Sequence, residues 1–497
     1  MKSFLIGGIL LSLFGFVWMG TDVNPKLSRI WGPGLTPDTI IMPARYFFVS
    51  LIDHKNNTIG HSVGKSLIAT IDGGTKTKNP CRIRTNVLDI KDGSYIIRYK
   101  LYETCSYLKI NVVYEGEHLG ESPYIINNPV PSDDCICPAE NLDKLMNQWD
   151  CGTVPSLIKE KLDVFGEIDW TIQRNGLIET FNKPYSVSIC HYVIKNNKIH
   201  RKCYGKHVGF NMFVDNILLS LSRKSILPDI EFFTNLGDWP LSTHDLRNKY
   251  PILSWCGSTE SYDIIMPTYD ITESTLENMG RVTLDILSVQ GNTKGPYETR
   301  TPKLFWRGRD SNKFRLELVK LSRKNPDLFN VSLTNFFFYR DEEEVYGPKT
   351  EHVSFFSFFD YKYQLAIDGT VAPYRMPYLL AGGSVVFKPE SKYFEHFYKN
   401  LEPNVHYVPV KQNISDLVEK IKWAIENDEQ ARKIARNAQK FANDNVLPKD
   451  IFCYHFHLLN ELNKIITSPV EVLEDMEQIE QKTVQNCDCS KVNKDEL

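Results

Sequence analysis

Hydrophobic and polar residues follow a recognisable order in residues 362–388. Apolar and polar side chains alternate over residues 363–367, and residues 384–387 form a second short apolar run. Alternation with a period of two and short apolar runs both predict strands. Between them, Gly382 and Gly383 supply the left-handed stop of a short helix. The segment therefore predicts a strand, a turn, a helix and a second strand.

The predicted helix begins near Thr370, a suitable N-cap, and Pro373 fits its first turn, where a missing N–H breaks no intrahelical bond. The free N–H groups of such a helix start lie beyond the carboxyl end of a strand, where open α/β sheets hold phosphates. Arg375 would add a fixed charge there. An isolated arginine is more often a solvated surface residue, so a phosphate site needs a second basic cluster.

That second cluster lies upstream, where an apolar run ends in Arg307-Gly308-Arg309 and passes through Asp-Ser-Asn into a helix that carries Arg315. The planar guanidinium group binds phosphate oxygens in pairs and keeps its charge. Two strand-to-helix turns with arginines suit a diphosphate, as nucleotide-sugar enzymes require. The alternative is that these arginines pair with surface carboxylates.

Asp238 is a candidate general base. Residues 230–233 read as a buried strand, so Asp238 falls in the turn beyond its carboxyl end, facing the crevice between two α/β halves. Transfer of a sugar to a hydroxyl group needs a group that accepts the proton. The alternative is an aspartate that only shapes the turn before Trp239-Pro240.

Residues 24–130 predict a β domain of their own. Short β-rich runs alternate with Asp-Gly, Gly-Gly and Pro signals, which is the spacing of a sandwich. Cys81 and Cys105 lie in neighbouring strand regions and could form a bridge. We find no acid–base pair or ligand cluster here, so the domain is assigned to binding or spacing. Residues 128–132 form a proline-containing linker to the second region, residues 131–467.

Both ends of the chain carry targeting signals. The apolar run at residues 4–19 follows Lys2 and is shorter than the ~20 residues that span a bilayer, so residues 1–20 predict a secretory signal peptide. An uncleaved anchor is the alternative. Residues 468–497 predict a flexible acidic tail, which ends in a retrieval signal for the endoplasmic reticulum: Lys494, Asp495, Glu496 and Leu497.

Composition agrees with a lumenal enzyme. A net charge of −3 over 497 residues gives no reason to expect nucleic-acid binding. Eleven cysteines should mostly pair in an oxidising compartment, leaving at least one free or intermolecular. Three sequons could accept N-glycans if exposed, at Asn56, Asn330 and Asn413.

Two further patterns are assigned to structure. The aromatic runs at residues 336–339 and 355–359 could stack on a base or sugar, but core packing is favoured. Cys453, His455 and His457 have the side chains of zinc ligands. On a helix, however, His455 points away from the face that the other two share, so no zinc site is predicted.

Several motifs together resemble the protein O-glucosyltransferase family, the Rumi-like or capsule-associated-protein type, from about residue 135 to beyond residue 453. The resemblance is strongest to the branch with a KDEL motif. The opening of the β domain, at residues 31–35 and 43–47, resembles a filamin-type immunoglobulin repeat. The motifs that carry the family resemblance are Trp306-Arg307-Gly308-Arg309, Asp368-Gly369-Thr370-Val371-Ala372, Arg375 and Gly383-Ser384-Val385-Val386.

The resemblance implies two Rossmann-like halves of the GT-B type behind an all-β immunoglobulin-like sandwich. It also implies an inverting transferase that moves glucose from UDP-glucose to a serine of epidermal-growth-factor-like repeats, as in Notch-like proteins, in the endoplasmic reticulum lumen. Asp238 would be the base, and the KDEL receptor and secreted or membrane acceptors would be partners. The implied donor-binding residues are Arg309, Arg315, Thr370, Val371, Ala372, Pro373, Tyr374 and Arg375.

No cofactor, metal or stable membrane insertion is expected. The sequence has no Asp-x-Asp motif, the carboxylate pair with which metal-dependent sugar-nucleotide transferases generally hold a cation. The open alternatives are a UDP-xylose donor, since one hydroxymethyl group changes pocket volume little, and a non-catalytic lumenal binding protein or chaperone that keeps the fold.

Two disulfides are implied by the resemblance alone. It pairs Cys135 with Cys453, which would tie the two ends of the transferase region together. Cys137 would then pair with Cys151.

Overall fold

The computed structural model describes residues 23–185, 188–481 and 487. The predicted signal peptide and the retrieval signal lie outside the described residues. Three large hydrophobic clusters organise the rest: one inside a β-sandwich, one inside the second α/β half, and one that runs from the first half into the sandwich.

Residues 29–126 form a sandwich of two antiparallel sheets, which confirms the predicted immunoglobulin-like domain. One sheet has the order β1-β2-β5-β4, and the other has the order β3-β6-β7 with β8 also paired to β6. Phe47, Ile97 and Ile110 are fully buried between the sheets, as alternating inward positions require. The strands are β1 Arg29–Trp31, β2 Arg45–Ser50, β3 Leu67–Gly74, β4 Ile83–Asp89, β5 Ser94–Leu101, β6 Tyr107–Tyr114, β7 Glu117–His118 and β8 Tyr124–Ile126.

The second region alternates strands and helices. Its first half contains α1 Leu142–Gln148, α2 Ser156–Asp163, α3 Trp170–Phe181, β9 Ile189–Lys195, β10 Lys198–Tyr204, α4 Asn211–Lys224, β11 Ile230–Asn235, β12 Ile252–Ser254, β13 Gly257–Ser258, β14 Ile264–Ile265, α5 Tyr269–Glu277 and α6 Ile286–Gly291. The chain continues with β15 Thr301–Arg309, α7 Lys313–Lys324, β16 Phe329–Asn335, α8 Glu343–Tyr346, β17 Tyr361–Leu365, α9 Met376–Ala381, β18 Val385–Pro389, β19 Tyr393–Phe394, β20 Val408–Val410, α10 Leu417–Glu426, α11 Asp428–Asn445, α12 Pro448–Ile465 and β21 Glu477–Ile479.

Each half is built on its own sheet, which confirms the predicted pair of α/β halves. The first sheet has the order β14-β12-β11-β9-β10-β21 and is mixed, because only β11, β12 and β14 run parallel. The second sheet, β16-β15-β17-β18-β20, is parallel throughout. The carboxyl ends of parallel strands share one edge of a sheet, so the turns after β15 and β17 open on the same side.

The C-terminal helix joins the halves. α12 packs against α1, α2 and α5, so the chain returns to the first half after completing the second. The buried Phe452 and Phe456 of α12 place their rings edge-on against Trp149.

The β-sandwich is docked on the second region. Arg98 forms a half-buried ion pair with Asp285, 2.8 Å away, and Arg84 donates to the backbone oxygen of Met279 at 3.0 Å. Leu88 fills the space above Gly291, where an added Cβ would lie 2.5 Å from the leucine Cβ. Polar and apolar contacts together fix the sandwich against α6.

The predicted Cys81–Cys105 bridge is confirmed, with the two Cα atoms 5.9 Å apart. A second, unpredicted bridge joins Cys190 on β9 to Cys203 on β10, which are direct partners in the antiparallel register. Cys256 is the free cysteine of the described residues, and it is buried.

Both disulfides implied by the family resemblance are wrong. Cys151 is bonded to Cys453 rather than to Cys137, because the chain after α1 packs beside α12. Cys135 is bonded to Cys487, with the Cα atoms 5.6 Å apart. Cys137 is also disulfide-bonded. The two ends of the second region are therefore still joined by a disulfide, the one between Cys151 and Cys453.

Part of the predicted flexible tail is ordered. β21 pairs with β10 in antiparallel register, and the Arg201 guanidinium contacts the Glu477 carboxylate. The bridge to Cys135 holds the chain again at Cys487. Residues 477–479 of the predicted tail therefore form the edge strand of the first sheet.

Candidate active site

A cavity of about 600 Å³ lies between the two α/β halves. The first half lines it with Asp238 and with residues at and after the start of α5, and the second half lines it with the turns after β15 and β17. The structure thus brings together every residue predicted for catalysis and donor binding: Asp238, Arg309, Arg315, Thr370, Val371, Ala372, Pro373, Tyr374 and Arg375.

Asp238 lies in the turn after β11. The Asn235 side chain stabilises this turn with two hydrogen bonds. The Asn235 side chain donates to the backbone oxygen of Trp239 at 2.7 Å and accepts from the Gly237 N–H at 2.8 Å. The Cys256 thiol donates to the backbone oxygen of Asp238 at 3.4 Å. These contacts fix the turn, so the carboxylate is aimed into the cavity by a rigid support.

Two groups from the second half reach the Asp238 carboxylate. Thr370 Oγ1 donates to Asp238 Oδ2 at 3.3 Å. Burial raises the pKa of Asp238 above its ordinary value, while the Thr370 hydrogen bond and the charge of Arg309 oppose that rise. A carboxylate with a raised pKa is a stronger proton acceptor, which suits a general base.

The turn after β17 is a loop rather than the start of a helix. α9 begins at Met376, so Arg375 is its N-cap and Thr370 is not, because the proline that fits the first turn is Pro377. The predicted stop is in place, with Gly382 as C-cap and Gly383 at φ +68°. Residues 366–375 therefore form a loop, and the seven residues 369–375 line the cavity before the helix begins.

Val371 and Ala372 anchor this loop to the first half. Both are buried and pack against Cys256, next to the turn that carries Asp238. Asn312 holds the loop from the other side, donating to the backbone oxygens of Asp368 and Gly369 at 2.8 and 3.0 Å. The loop is fixed to both halves, so its backbone amides and Thr370 keep a set position relative to Asp238.

The guanidinium group of Arg315 is already hydrogen-bonded to the protein. Its guanidinium donates to the backbone oxygens of Asp368, Arg309 and Ile367 at 2.7, 3.0 and 3.2 Å, and to Ser311 Oγ at 3.3 Å. Burial lowers its pKa, and it lies 5.2 Å from the centre of the Trp306 ring. Arg315 ties the two cavity turns together and offers little to a ligand.

Arg309 and Arg375 are the more available cations. Arg309 is exposed, and no hydrogen bond of the described residues ties up its guanidinium. Arg375 is only partly exposed and donates through Nη1 to the backbone oxygen of Arg307 at 2.7 Å. Arg375 lines the cavity, so these two arginines suit an anionic ligand best.

Arg307 also lines the cavity, but its guanidinium is hydrogen-bonded to Asn330. It donates to the backbone oxygen and to Oδ1 of Asn330, at 2.8 and 2.7 Å. The amide nitrogen of Asn330 donates to the Tyr361 hydroxyl at 2.7 Å. Asn330 lies partly buried in β16, with its side chain hydrogen-bonded to Arg307 and Tyr361, and its use as an N-glycan acceptor stays a prediction. Asn56 and Asn413 are exposed.

Sequence reasoning missed Asp270 and Tyr269. Both line the cavity from the first turn of α5, just beyond the carboxyl end of β14. The Tyr269 ring packs edge-on against the Tyr374 ring, with the ring centres 5.4 Å apart. The rule that selected Asp238, a polar residue after a strand, would have found Asp270 if the two-residue β14 had been recognised.

The aromatic residues after β16 depart from the expected core packing. Phe336 is buried, but Phe337 and Phe338 are 54% and 46% exposed. The fully buried Asp310 holds this loop by accepting the N–H groups of Phe337, Phe338 and Tyr339 at 2.8, 2.9 and 2.6 Å. The second run does pack inside, with Phe358 and Phe359 buried.

Residues 23–185 and 188–481 contain neither a candidate metal centre nor a helix that could span a membrane. In that part of the chain no three His, Cys, Asp or Glu side chains are grouped as metal ligands. His455 Nδ1 instead contacts the backbone oxygen of Ile451 at 2.8 Å. None of the helices in that part of the chain has the length and apolarity that crossing a bilayer requires.

Comparison with known proteins gives two domain matches and several relatives. Residues 146–497 match the model described as glycosyl transferase family 90, and residues 22–125 match the filamin/ABP280 repeat. Protein O-glucosyltransferase 2 of Danio rerio is 45% identical over 453 residues, which are 91% of this chain and 90% of that protein. Protein O-glucosyltransferase 3 of Homo sapiens is 41% identical over 485 residues, 96% of this chain and 95% of that protein. Human protein O-glucosyltransferase 1 is 26% identical over 349 residues, 68% of this chain and 87% of that protein.

Proposed function

This chain belongs to glycosyl transferase family 90, and from that premise we propose that it transfers glucose from UDP-glucose to a serine of epidermal-growth-factor-like repeats. The observation that carries the proposal is the shared cavity, in which Asp238 of one half faces Arg309 and Arg375 of the other. A transferase of this kind needs a proton acceptor and an anion site a few ångströms apart. The proposal of glucose follows from the relatives, which are protein O-glucosyltransferases.

Asp238 acts as the general base. As the serine oxygen attacks the anomeric carbon, its proton passes to the carboxylate, and the bond from that carbon to the diphosphate oxygen breaks. UDP leaves with both electrons of that bond. One base opposite one leaving group gives a single displacement with inversion. A positioned base contributes about 10²- to 10⁴-fold to such a step.

Arg309 and Arg375 stabilise the departing diphosphate, and the loop at residues 370–374 adds backbone amides. A fixed array of donors stabilises developing charge without reorganising during the reaction. Arg315 supports this array by holding both turns through their carbonyl oxygens. No metal ion is assigned a role, because the guanidinium groups supply the positive charge.

The proposed compartment is the lumen of the endoplasmic reticulum. The Cys81–Cys105, Cys151–Cys453 and Cys190–Cys203 bridges support it, because disulfides persist in oxidising compartments. The chain ends in Lys-Asp-Glu-Leu, the address that a lumenal retrieval receptor reads. Secreted or membrane proteins that pass through this compartment would be the acceptors.

The test is a transfer assay with purified full-length protein, folded repeats and radiolabelled UDP-glucose or UDP-xylose. Asp238→Asn should lower kcat by about 10²- to 10⁴-fold, while UDP-glucose still binds. Asp245→Asn is the matched control, because Asp245 is an exposed carboxylate outside the cavity. Equal transfer by wild type and Asp238→Asn would remove Asp238 from the mechanism. Transfer from UDP-xylose alone would correct the donor, and no transfer from either sugar would favour a non-catalytic binding protein.

A further inference from the structure

A second carboxylate, Asp270, faces the same cavity as Asp238 and has no task in the reaction proposed above. It is the second residue of α5, so the rigid first turn of a helix positions it. We infer that Asp270 binds hydroxyl groups of the sugar that is transferred, and thereby places the anomeric carbon beside Asp238. The inference rests on the proposed function and deepens it.

Asp270 has hydrogen-bonding capacity left for a ligand. No ion pair of the described residues involves it, although it is partly buried. The Tyr378 hydroxyl and, at longer range, the charge of Arg375 oppose the rise that burial causes in its pKa. A carboxylate offers about four acceptor positions, and a tyrosine hydroxyl has a single hydrogen. A buried carboxylate in this state gains most from a ligand that donates several hydrogen bonds.

The position of Asp270 favours the sugar over the rest of the donor. Arg375, which suits the diphosphate, belongs to the other half, and a carboxylate would repel phosphate oxygens. Asp238, which must act beside the anomeric carbon, belongs to the same half as Asp270. Burial and the charges of both aspartates raise the pKa of Tyr269, so both carboxylates lie near that one ring.

The hydrogen-bonding properties of sugar hydroxyls and of the Asp270 carboxylate are also complementary. Sugar hydroxyls donate hydrogen bonds, a carboxylate only accepts them, and bonds to a charged acceptor are roughly twice as strong as neutral ones. The two oxygens of one carboxylate suit two neighbouring hydroxyls of a hexose. Asp238 is less suited to this task, because a base that is saturated by sugar hydroxyls is a weaker proton acceptor.

The experiment compares binding of UDP with binding of UDP-glucose by calorimetry, using the full-length protein. In wild type, UDP-glucose should bind more tightly than UDP, because the sugar adds contacts. Asp270→Asn should bind UDP as wild type does and should bind UDP-glucose about tenfold more weakly, the loss expected for one charged hydrogen bond. Asp238→Asn should keep the preference for UDP-glucose.

Glu277→Gln is the matched control, because Glu277 ends the same helix and contacts Arg281 instead of the cavity. Two outcomes would overturn the inference while leaving the proposed function intact: Asp270→Asn binds UDP-glucose as tightly as wild type does, or it loses affinity for UDP to the same extent. If wild type binds neither UDP nor UDP-glucose, the proposed function fails and the inference fails with it.

Discussion

The two halves of the transferase region face their shared cavity with opposite charges. Among the described residues that line it, the first half contributes the carboxylates of Asp238 and Asp270 and no cation, whereas the second half contributes four arginines and no carboxylate. A diphosphate and a proton acceptor need opposite surroundings, and none of the ion pairs of the described residues joins Asp238 to one of these arginines.

The arginines of the second half differ among themselves in a way that the sequence does not reveal. Arg315 is buried and bonded to three backbone oxygens, while Arg309 is exposed and free of such bonds. One guanidinium stabilises the cavity wall and the other is available to the ligand. A charged side chain that lines a cavity is therefore available to a ligand only to the extent that the protein does not already bind it.

The largest effect that would test this division is on stability. Arg315→Met should lower the free energy of unfolding by about 3 to 5 kcal/mol, because it leaves buried backbone oxygens without donors. Arg309→Met should change it by no more than about 0.5 kcal/mol, as expected at an exposed position. Urea denaturation of both variants measures the difference. Equal losses would show that the two arginines share one role.

The second effect concerns the donor. Arg309→Gln should weaken UDP binding by about ten- to a hundredfold, the loss expected when a charged hydrogen bond to a phosphate is removed. The thermal unfolding temperature should stay unchanged, because the side chain of Arg309 makes no hydrogen bond or ion pair with the described residues. Calorimetry with UDP provides the measurement, and Lys303→Gln, a change at a partly exposed lysine of the same strand outside the cavity, is the control. Unchanged affinity would leave Arg375 and the loop amides as the phosphate site.

The smallest effect concerns the contact between the halves at Asp238. Its pKa is raised by burial, and the reaction needs its ionised form, so activity should fall as the pH drops through that raised pKa. Thr370→Val removes a hydrogen bond that stabilises the carboxylate. The acid limb of the kcat profile should therefore move to higher pH, by less than about one pH unit.

Ser391→Ala is the control for that profile, because its hydroxyl bonds a different carboxylate, that of Asp368, at 2.6 Å. This variant should leave the acid limb in place. A limb that is unmoved in Thr370→Val, or that moves to lower pH, would show that Asp238 does not set the acid side of the profile.

Local patterns were sufficient for several of the elements, while the fold class with two α/β halves was implied by the family resemblance. The alternation at residues 363–367 and the Gly382-Gly383 stop correspond to β17 and to the end of α9, since both depend on neighbours in the chain. The same local reasoning placed Asp238, Arg309 and Arg375 at strand ends, and the structure brings these ends to one cavity. It misplaced the start of α9 because Pro373 and Pro377 are equally suited to a first turn.

Partners that are distant in the chain were beyond the sequence. Cys151 meets Cys453 across 302 residues because α1 and α12 pack together, and no spacing rule encodes that contact. Arg315 and Arg309 are the same residue type six positions apart, and only the fold buries one beneath three carbonyl oxygens. Asp270 reaches the cavity because a two-residue strand precedes it. The sequence by itself thus determined which residues could do the chemistry, through local rules of turns and strand ends, while the tertiary structure decided which of them is free to do it, because burial and hydrogen bonding are set by residues far away in the chain.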